Sequence, residues 1–279
     1  MSELDRMLKQ IEAARAASEK KTVNTNTLAE VDPLHEITGN TVTKSHALTR
    51  AYYRFGIVEK RCMEALISKL NPLRSDNKHQ EIELSALEYA ATYGVSEKHA
   101  YRDLGTAIDA LMHRVIRVDR SHGKTGKIEL TVMLKAEYKD DEGCISCAFN
   151  PFITPHLIGL REKFSSYPLS KTVEFSSSYT WRFYEILSSW VDKKKTGGRF
   201  MGWIDRQSVD ELREMLGVPK SYKWSDFQKQ LDIVEVELRD KANIFVYFER
   251  KKTGRKITHL NIRFAENEQQ QIPLGGAGS

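Results

Sequence analysis

A pattern of serine, glutamate and glycine at fixed spacing occurs twice in this chain, with an offset of 123 residues. A serine followed by a glutamate at the third position after it is typical of a capping box, in which each side chain bonds the other residue's backbone amide at a helix start. The glycine that follows is typical of the left-handed residue that ends a helix. The two copies are Ser85, Glu88 and Gly94, and Ser208, Glu211 and Gly217. The pattern therefore predicts, twice, a helix of about two and a half turns that ends in a glycine turn.

A second helix is predicted after each glycine turn. Ser96 can cap it in the first copy, and in the second copy Ser225 and Gln228 have the spacing of a further capping box. Apolar residues then recur with the helical period of about 3.6 residues. They are Ala100, Leu104, Ala107 and Leu111 in the first copy and Phe227, Leu231, Val234 and Leu238 in the second. A longer helix is predicted before each copy, at about residues 57–70 and 179–191, with Trp190 facing inward.

After each helix pair the apolar period changes to about two residues, as in half-buried strands. A short strand is also predicted before each helix pair. The predicted strands are 81–84, 115–118 and 128–134 in the first copy, and 202–205, 244–248 and 257–264 in the second. A helix, a turn, a helix and a hairpin together make a helix-turn-helix with a β-wing. The sequence therefore predicts an α+β fold of two tandem winged-helix domains with a pseudo-two-fold relation.

The two ends of the chain differ in character from the duplicated part. Leu4, Leu8 and Ile11 have helical spacing, whereas residues 22–45 are polar and have no sustained period. We expect an N-terminal helix and a flexible arm before the first domain, and a disordered tail after the second. The predicted bounds are 1–45 for the helix and arm, 46–168 for the first winged helix, 169–265 for the second and 266–279 for the tail.

Composition excludes several classes of protein. The chain has 279 residues, of which 40% are hydrophobic, and no apolar run approaches the roughly 18 residues of a membrane span. The N-terminus has no apolar segment typical of a secretory signal. Three scattered cysteines indicate a reducing, cytosolic compartment rather than a disulfide framework. We therefore expect a cytoplasmic protein with no membrane partner.

The net charge of +5 is unevenly distributed, with +1 over residues 1–169 and +6 over residues 170–265. A basic second half favours a polyanionic partner, and nucleic acid is the first choice. A helix fits the major groove of DNA, where its N-terminal residues reach the base edges. The candidate contacts at the two helix starts are Lys98, His99 and Arg102 in the first copy, and Lys220, Tyr222, Lys223, Ser225 and Lys229 in the second.

The predicted wings add further candidate DNA contacts. A solvated hairpin tip accounts for one or two cations, but five in seven residues better suit phosphates or a minor groove. The wing candidates are Lys124 and Lys127 in the first copy, and Arg250, Lys251, Lys252, Arg255 and Lys256 in the second. We expect double-stranded DNA as the partner, with the second unit as the stronger DNA reader.

Five stretches, and their order along the chain, carry a family resemblance: 52–70, 82–111, 147–168, 178–190 and 209–264. Through them the chain resembles the initiator replication proteins of theta-replicating bacterial plasmids, a family with two winged helices that binds iterons. The resemblance covers about residues 45–265. It implies a protein that binds directly repeated origin sites as a monomer, helps to open the adjacent DNA and recruits the host initiator and helicase. It also implies a dimer, formed through the first winged helix, that binds an inverted repeat and represses its own gene.

Residues 128–134 and 145–149 are the candidate edge strands for that dimer. Two other classes of protein stay open beside the initiator. One is a tandem winged-helix transcription regulator without any origin function, and the other is a nickase or recombinase acting on DNA. The sequence favours a protein without catalytic activity, because no His-x-His pair and no close carboxylate cluster is present to hold a catalytic metal.

Two short motifs imitate cofactor sites. Gly123, Lys124 and Thr125 resemble the end of a phosphate-binding loop, but Val118 stands where that loop requires its first glycine. Cys144 and Cys147 are predicted on a strand, where residues three apart face opposite sides and cannot share a metal. We therefore expect no metal and no cofactor. The four tryptophans are expected in the core, namely Trp181, Trp190, Trp203 and Trp224.

Overall fold

The computed structural model describes residues 35–73, 80–119, 126–139, 142–192 and 195–267. In chain order the helices are α1 (His46–Thr49), α2 (Ile57–Ser68), α3 (Ala86–Tyr93), α4 (Glu97–His113), α5 (Ser178–Ser188), α6 (Val209–Met215) and α7 (Trp224–Ala242). The strands are β1 (Thr41–Ser45), β2 (Ile82–Ser85), β3 (Val115–Asp119), β4 (Lys127–Thr131), β5 (Met133–Lys139), β6 (Cys144–Phe149), β7 (Phe164–Pro168), β8 (Met201–Ser208), β9 (Ile244–Thr253) and β10 (Lys256–Glu266). The predicted N-terminal helix and the tail from residue 268 lie outside the described residues.

The end of the predicted flexible arm is a strand, so the arm prediction is wrong for residues 41–45. β1 pairs antiparallel with β7, from Thr41 opposite Pro168 to Ser45 opposite Phe164. The last four residues of β1 are buried although three of them are polar. The buried polar side chains of β1 have hydrogen-bond partners more than a hundred residues away in the sequence. Local composition therefore could not show that these side chains are buried. The Thr43 and Ser166 hydroxyl oxygens, for example, lie 2.8 Å apart.

The first helix-turn-helix consists of α3 and α4, and its predicted capping box is confirmed. The amide of Glu88 donates to Ser85 Oγ at 3.1 Å, and the Ser85 amide donates to Glu88 Oε2 at 2.9 Å. Gly94 ends α3 in the left-handed region with φ +62°. Ser96 caps α4, also as predicted. The capping residues therefore determine both helix starts.

The strands of the first unit pair differently from the prediction. β3 and β4 form the wing hairpin, but β4 ends at Thr131, and β5 pairs with β6 instead. The prediction of one strand over residues 128–134 is therefore wrong. The sheet order is β2-β6-β5, so β6, which contains residues 145–149, is a central strand and not an edge. Its six residues are all buried. β2 and β5 are the two edge strands of this sheet.

The second unit contains α6, α7 and a three-stranded sheet of order β8-β10-β9. Ser208 caps α6 by accepting from the Glu211 amide at 3.4 Å. The reciprocal half of the predicted capping box is wrong, because the Glu211 carboxylate accepts from Gln207 Nε2 at 3.0 Å instead. The predicted capping box at Ser225 is wrong, because α7 begins at Trp224 and the Lys223 amide donates to Asp226 Oδ2 at 2.9 Å. Asp226 takes the role given to Gln228 in the prediction, since the aspartate carboxylate is equally able to accept from an N-cap amide.

The two units share one apolar core that runs through α2 and α5. Trp181, Phe183 and Leu187 of α5 are fully buried in it. The expected inward position of Trp190 is wrong, because α5 ends at Ser188 and the Trp190 side chain is 40% exposed under the Arg50 guanidinium. Trp203, also expected in the core, is 53% exposed on β8. None of the helices in the described ranges is long and apolar enough to cross a membrane.

A buried cluster of charges joins β1, α2 and α5. Lys60 Nζ is 2.7 Å from both Glu64 Oε1 and Glu185 Oε1, and Lys44 Nζ bonds the same two carboxylates. Arg182 Nη1 donates to Glu185 Oε2 at 3.0 Å. Burial alone would raise the pKa of Glu185, but the three cations outweigh it and hold that pKa well below its ordinary value. A carboxylate of α5 is thus balanced by cations of β1 and α2.

Candidate nucleic-acid interface

Helix α7 is the second helix of the second helix-turn-helix, and one face of it is fixed against the rest of the unit. Phe227, Leu231, Val234 and Leu238 are buried, as the apolar period predicted. Glu237 accepts hydrogen bonds from the amides of Ser176 and Ser177, at 2.6 and 3.2 Å, just before α5. The opposite face of α7 is therefore held outward in a defined orientation.

The start of α7 exposes most of the predicted base-contact residues. Lys220 and Lys223 lie in the turn that leads into the helix, and Ser225 and Lys229 lie within its first turns; all four reach solvent. Tyr222 differs, because it is half-buried and its ring packs against the core. Four of the five residues predicted here are thus presented to solvent, while Tyr222 supports the turn that carries them.

The wing of the second unit is longer and more regular than predicted. Residues 249–256 were expected to be a connecting loop, but β9 continues to Thr253 and β10 starts at Lys256, opposite it. The turn needs only Gly254 and Arg255, with Gly254 in the left-handed region at φ +61°. A glycine with positive φ permits such a tight connection, which is why the ladder can extend to the tip.

The five predicted wing cations all lie on this ladder and turn, and all five are exposed. Lys251 Nζ lies 2.5 Å from Glu249 Oε1, and Lys256 Nζ lies 3.6 Å from Asp210 Oδ2. Within the described residues no ion pair is found for Lys252 or Arg255. The wing therefore presents a cationic edge that a polyanion could neutralise.

Arg250 joins the wing to the start of α7. Its guanidinium lies 5.9 Å from the centre of the Trp224 ring. Trp224 itself is half-buried at the edge of the core, where its ring meets Phe227 edge-on. Trp224, Tyr247 and Arg250 also line a small cleft between α7 and β9. Helix start and wing thus form one continuous surface.

The first unit presents a smaller cationic surface. Lys98, His99 and Arg102 are exposed on the first two turns of α4, as predicted. His99 Nδ1 lies 2.8 Å from Ser96 Oγ, so its ring is fixed over the helix start. Lys124 lies outside the described residues, and Lys127 begins β4 opposite Asp119.

A cationic cleft between the units was missed from the sequence. It has a volume of about 510 Å³, and its lining includes Arg54, Arg114, Tyr179 and Tyr222. Arg54 is exposed at its mouth, while Arg114 is paired with Glu59 at 2.6 Å. Its walls come from segments more than a hundred residues apart, so no local spacing could have indicated it.

The cysteine pair that imitates a metal motif lies on β6. Burial, and then the nearby Glu81, raises the pKa of Cys147 to about 12, and burial also raises the pKa of Cys144. Both thiols therefore stay protonated near neutral pH. Over the described ranges no group of three or more histidines, cysteines or carboxylates is placed to hold a metal ion. Gly123, Lys124 and Thr125 lie outside the described residues.

Two units, each with a helix-turn-helix and a wing, define a tandem winged-helix DNA-binding protein. The chain belongs to the family of initiator replication proteins. The family's first winged-helix model, described as "Initiator Replication protein, WH1", matches residues 41–188, and its second, "Initiator Rep protein, WH2", matches residues 208–264. The resemblance drawn from the sequence is therefore confirmed, as is the tandem winged-helix fold.

Individual relatives are distant in sequence. The chain is 25% identical to the PI protein of Escherichia coli over 242 residues, which are 76% of this chain and 78% of the relative. It is 25% identical to a replication initiation protein of Escherichia coli over 183 residues, which are 65% of this chain and 55% of the relative. Among solved structures it is similar to the Pi initiator protein in complex with iteron DNA. That match has a TM-score of 0.69 at 23% identity, over 83% of this chain and 99% of the solved one, and shows the shared fold.

Proposed function

We propose that this protein initiates plasmid replication by binding directly repeated origin sites as a monomer, with both winged helices on one duplex. The observation that carries the proposal is the joining of two helix-turn-helix units in one core, with exposed cations at the start of α7 and along the wing of β9 and β10. Membership of the initiator family supports it. The solved Pi protein that shares this fold is bound to iteron DNA.

We propose further that binding opens the adjacent AT-rich DNA and brings in the host initiator and helicase, in the bacterial cytoplasm. The test uses a supercoiled plasmid that carries several direct repeats beside an AT-rich stretch. Permanganate reactivity of thymines in that stretch, dependent on the protein and on the repeats, is the expected result. Tight repeat binding with no opening, also with the host initiator present, would favour a transcription regulator without origin function.

We also propose that the protein acts by binding and not by cutting DNA. Incubation of the protein with supercoiled DNA and Mg²⁺ or Mn²⁺ should leave the DNA supercoiled and free of covalent protein. A nicked or protein-linked product would instead identify a nickase or recombinase.

A homodimer formed through the first unit is proposed as the autorepressing form that binds an inverted repeat. β5 supports this, because it is one of the two edge strands of its sheet and Leu134 on it is exposed. Edge strands offer unpaired backbone groups to a second chain, and an additional unneutralised lysine there opposes pairing. The two lysines already on β5, Lys135 and Lys139, are paired with Glu81 and Glu83. Leu134→Lys should therefore sediment as a monomer at concentrations at which the parent chain is dimeric, while still binding a direct repeat. A variant that dimerises as well as the parent would exclude β5 as the contact.

A further inference from the structure

Helix α7 exposes two apolar side chains in its middle, Ile233 and Val236, each 47% exposed. Both lie on the face opposite the buried stripe. With about 3.6 residues per turn, Val236 stands two turns beyond Lys229, and Ile233 stands one turn beyond it. The two side chains therefore continue the line of residues that begins with Ser225 and Lys229 at the helix start.

The charges around this pair make it unsuited to the DNA backbone. Asp232 and Asp240 are exposed beside Ile233 and Val236. Arg239 pairs with Asp240 at 2.8 Å, so these two charges offset each other. The negative charge that remains beside the two apolar side chains is that of Asp232 and Glu235, which are both exposed. Phosphates would be repelled by this part of α7, whereas they would be attracted by the helix start and the wing. When α7 lies in the major groove of a duplex that those cations hold, the face with Lys229, Ile233 and Val236 is turned toward the base edges.

The apolar feature on the floor of the major groove is the C5 methyl group of thymine. We propose that Ile233 and Val236 read thymine in the bound DNA by packing against these methyl groups. The inference rests on the proposed DNA-binding function. A protein partner fits less well, because a stable protein interface buries about 800 Å² on each side, and two side chains offer far less.

The experiment replaces thymine by uracil, which removes the methyl group and leaves the hydrogen-bonding edge unchanged. The probe is a duplex that the full chain selects from a random-sequence pool, with each thymine exchanged singly. At one or two positions uracil should weaken binding by the parent chain about four-fold, the effect of removing one buried methyl group. In Ile233→Ala or Val236→Ala the same exchange should cost nothing further.

Leu87→Ala is the matched control, because Leu87 is an exposed apolar residue on a helix of the first unit. It should keep the full uracil penalty at every position. The inference is overturned if uracil is neutral throughout, or if the penalty persists in both α7 variants. Failure to select any sequence from the pool would be a different outcome, since it removes the proposed function and this inference with it.

Discussion

Gly217 is a residue of the second helix-turn-helix that lies close against the first unit. It has φ +67°, and a Cβ built on it would lie 2.7 Å from Arg54 Cβ and 2.8 Å from the Tyr53 carbonyl oxygen. We expect Gly217→Ala to lower the free energy of unfolding by about 1–2 kcal/mol from the left-handed backbone and by about 1–3 kcal/mol more from overpacking. Urea unfolding measures the sum.

Gly94→Ala separates the two contributions. Gly94 has nearly the same φ, +62°, but nothing lies within 4 Å of a Cβ built there. It should show only the backbone effect. Equal decreases in the two variants would mean that the contact between Gly217 and the first unit does not restrict the turn.

Glu185 offers a second prediction for a single residue. Glu185→Gln keeps the shape of the side chain but leaves Lys44 and Lys60 with Glu64 as their remaining carboxylate. Breaking a buried ion pair costs about 3–5 kcal/mol, so the urea midpoint at pH 7 should fall strongly. Glu81→Gln, which removes an exposed partner of Lys135, should leave the midpoint nearly unchanged because solvent screens that pair. Similar shifts in both variants would contradict a stabilising role for the cluster.

The structural role of a residue could be predicted when its hydrogen-bond partner lies close to it in the sequence. Ser85, Glu88 and Ser96 act within three or four residues of themselves, and the sequence was sufficient to place them. Lys44 lies 141 residues from Glu185, and its burial depends on that distant carboxylate. The sequence could not show that a charged side chain such as Lys44 is buried, because its partner is brought close only by the complete fold.

At the scale of elements, helix α7 and the wing are expected to have different tasks. The helix start reaches base edges, whereas wing cations meet phosphates, which position a protein without reading sequence. Lys223→Ala should therefore weaken binding to the selected repeat more than to random DNA, by about 1–3 kcal/mol of discrimination. Affinities on both duplexes test this.

Lys251→Ala with Lys252→Ala should weaken binding to all duplexes alike. It should also reduce the salt slope by about one for each phosphate that the wing no longer neutralises, up to roughly two. Titrations between about 50 and 200 mM salt measure that slope. If the wing variant binds with reduced specificity and the helix variant only with reduced general affinity, the assignment is reversed.

The elements were predicted well where periodicity was strong and less well where strands had to find partners. The buried stripe of α7 was correct because four apolar residues repeat over three turns. The two strands of the second wing were predicted too short. Their charged ends lack the apolar alternation of a strand, although β9 and β10 pair as far as Thr253 and Lys256. Pairing between β5 and β6 also could not be predicted, because alternation shows that a strand exists but does not show its neighbour.

For the whole molecule, two reading units that share one core predict a strict spacing requirement. Both units should meet the same face of the duplex, with major-groove segments about 10 bp apart. Inserting about 5 bp between the halves of a repeat turns one half to the opposite face, and should abolish tight binding by one monomer. An insertion of about 10 bp restores the face but moves one half roughly 34 Å further along the duplex, so it should abolish tight binding by one monomer as well. Unchanged affinity after the shorter insertion would show that the units bind independently.

The buried charge cluster also limits how such proteins can exchange parts during evolution. A recombination point near residue 168 would take Lys44, Lys60 and Glu64 from one parent and Glu185 from another. A point after α5 keeps all four charges from a single parent. Hybrid initiators that acquire a new DNA specificity by recombination should therefore inherit α5 together with the first unit, and join the second unit between residues 189 and 200.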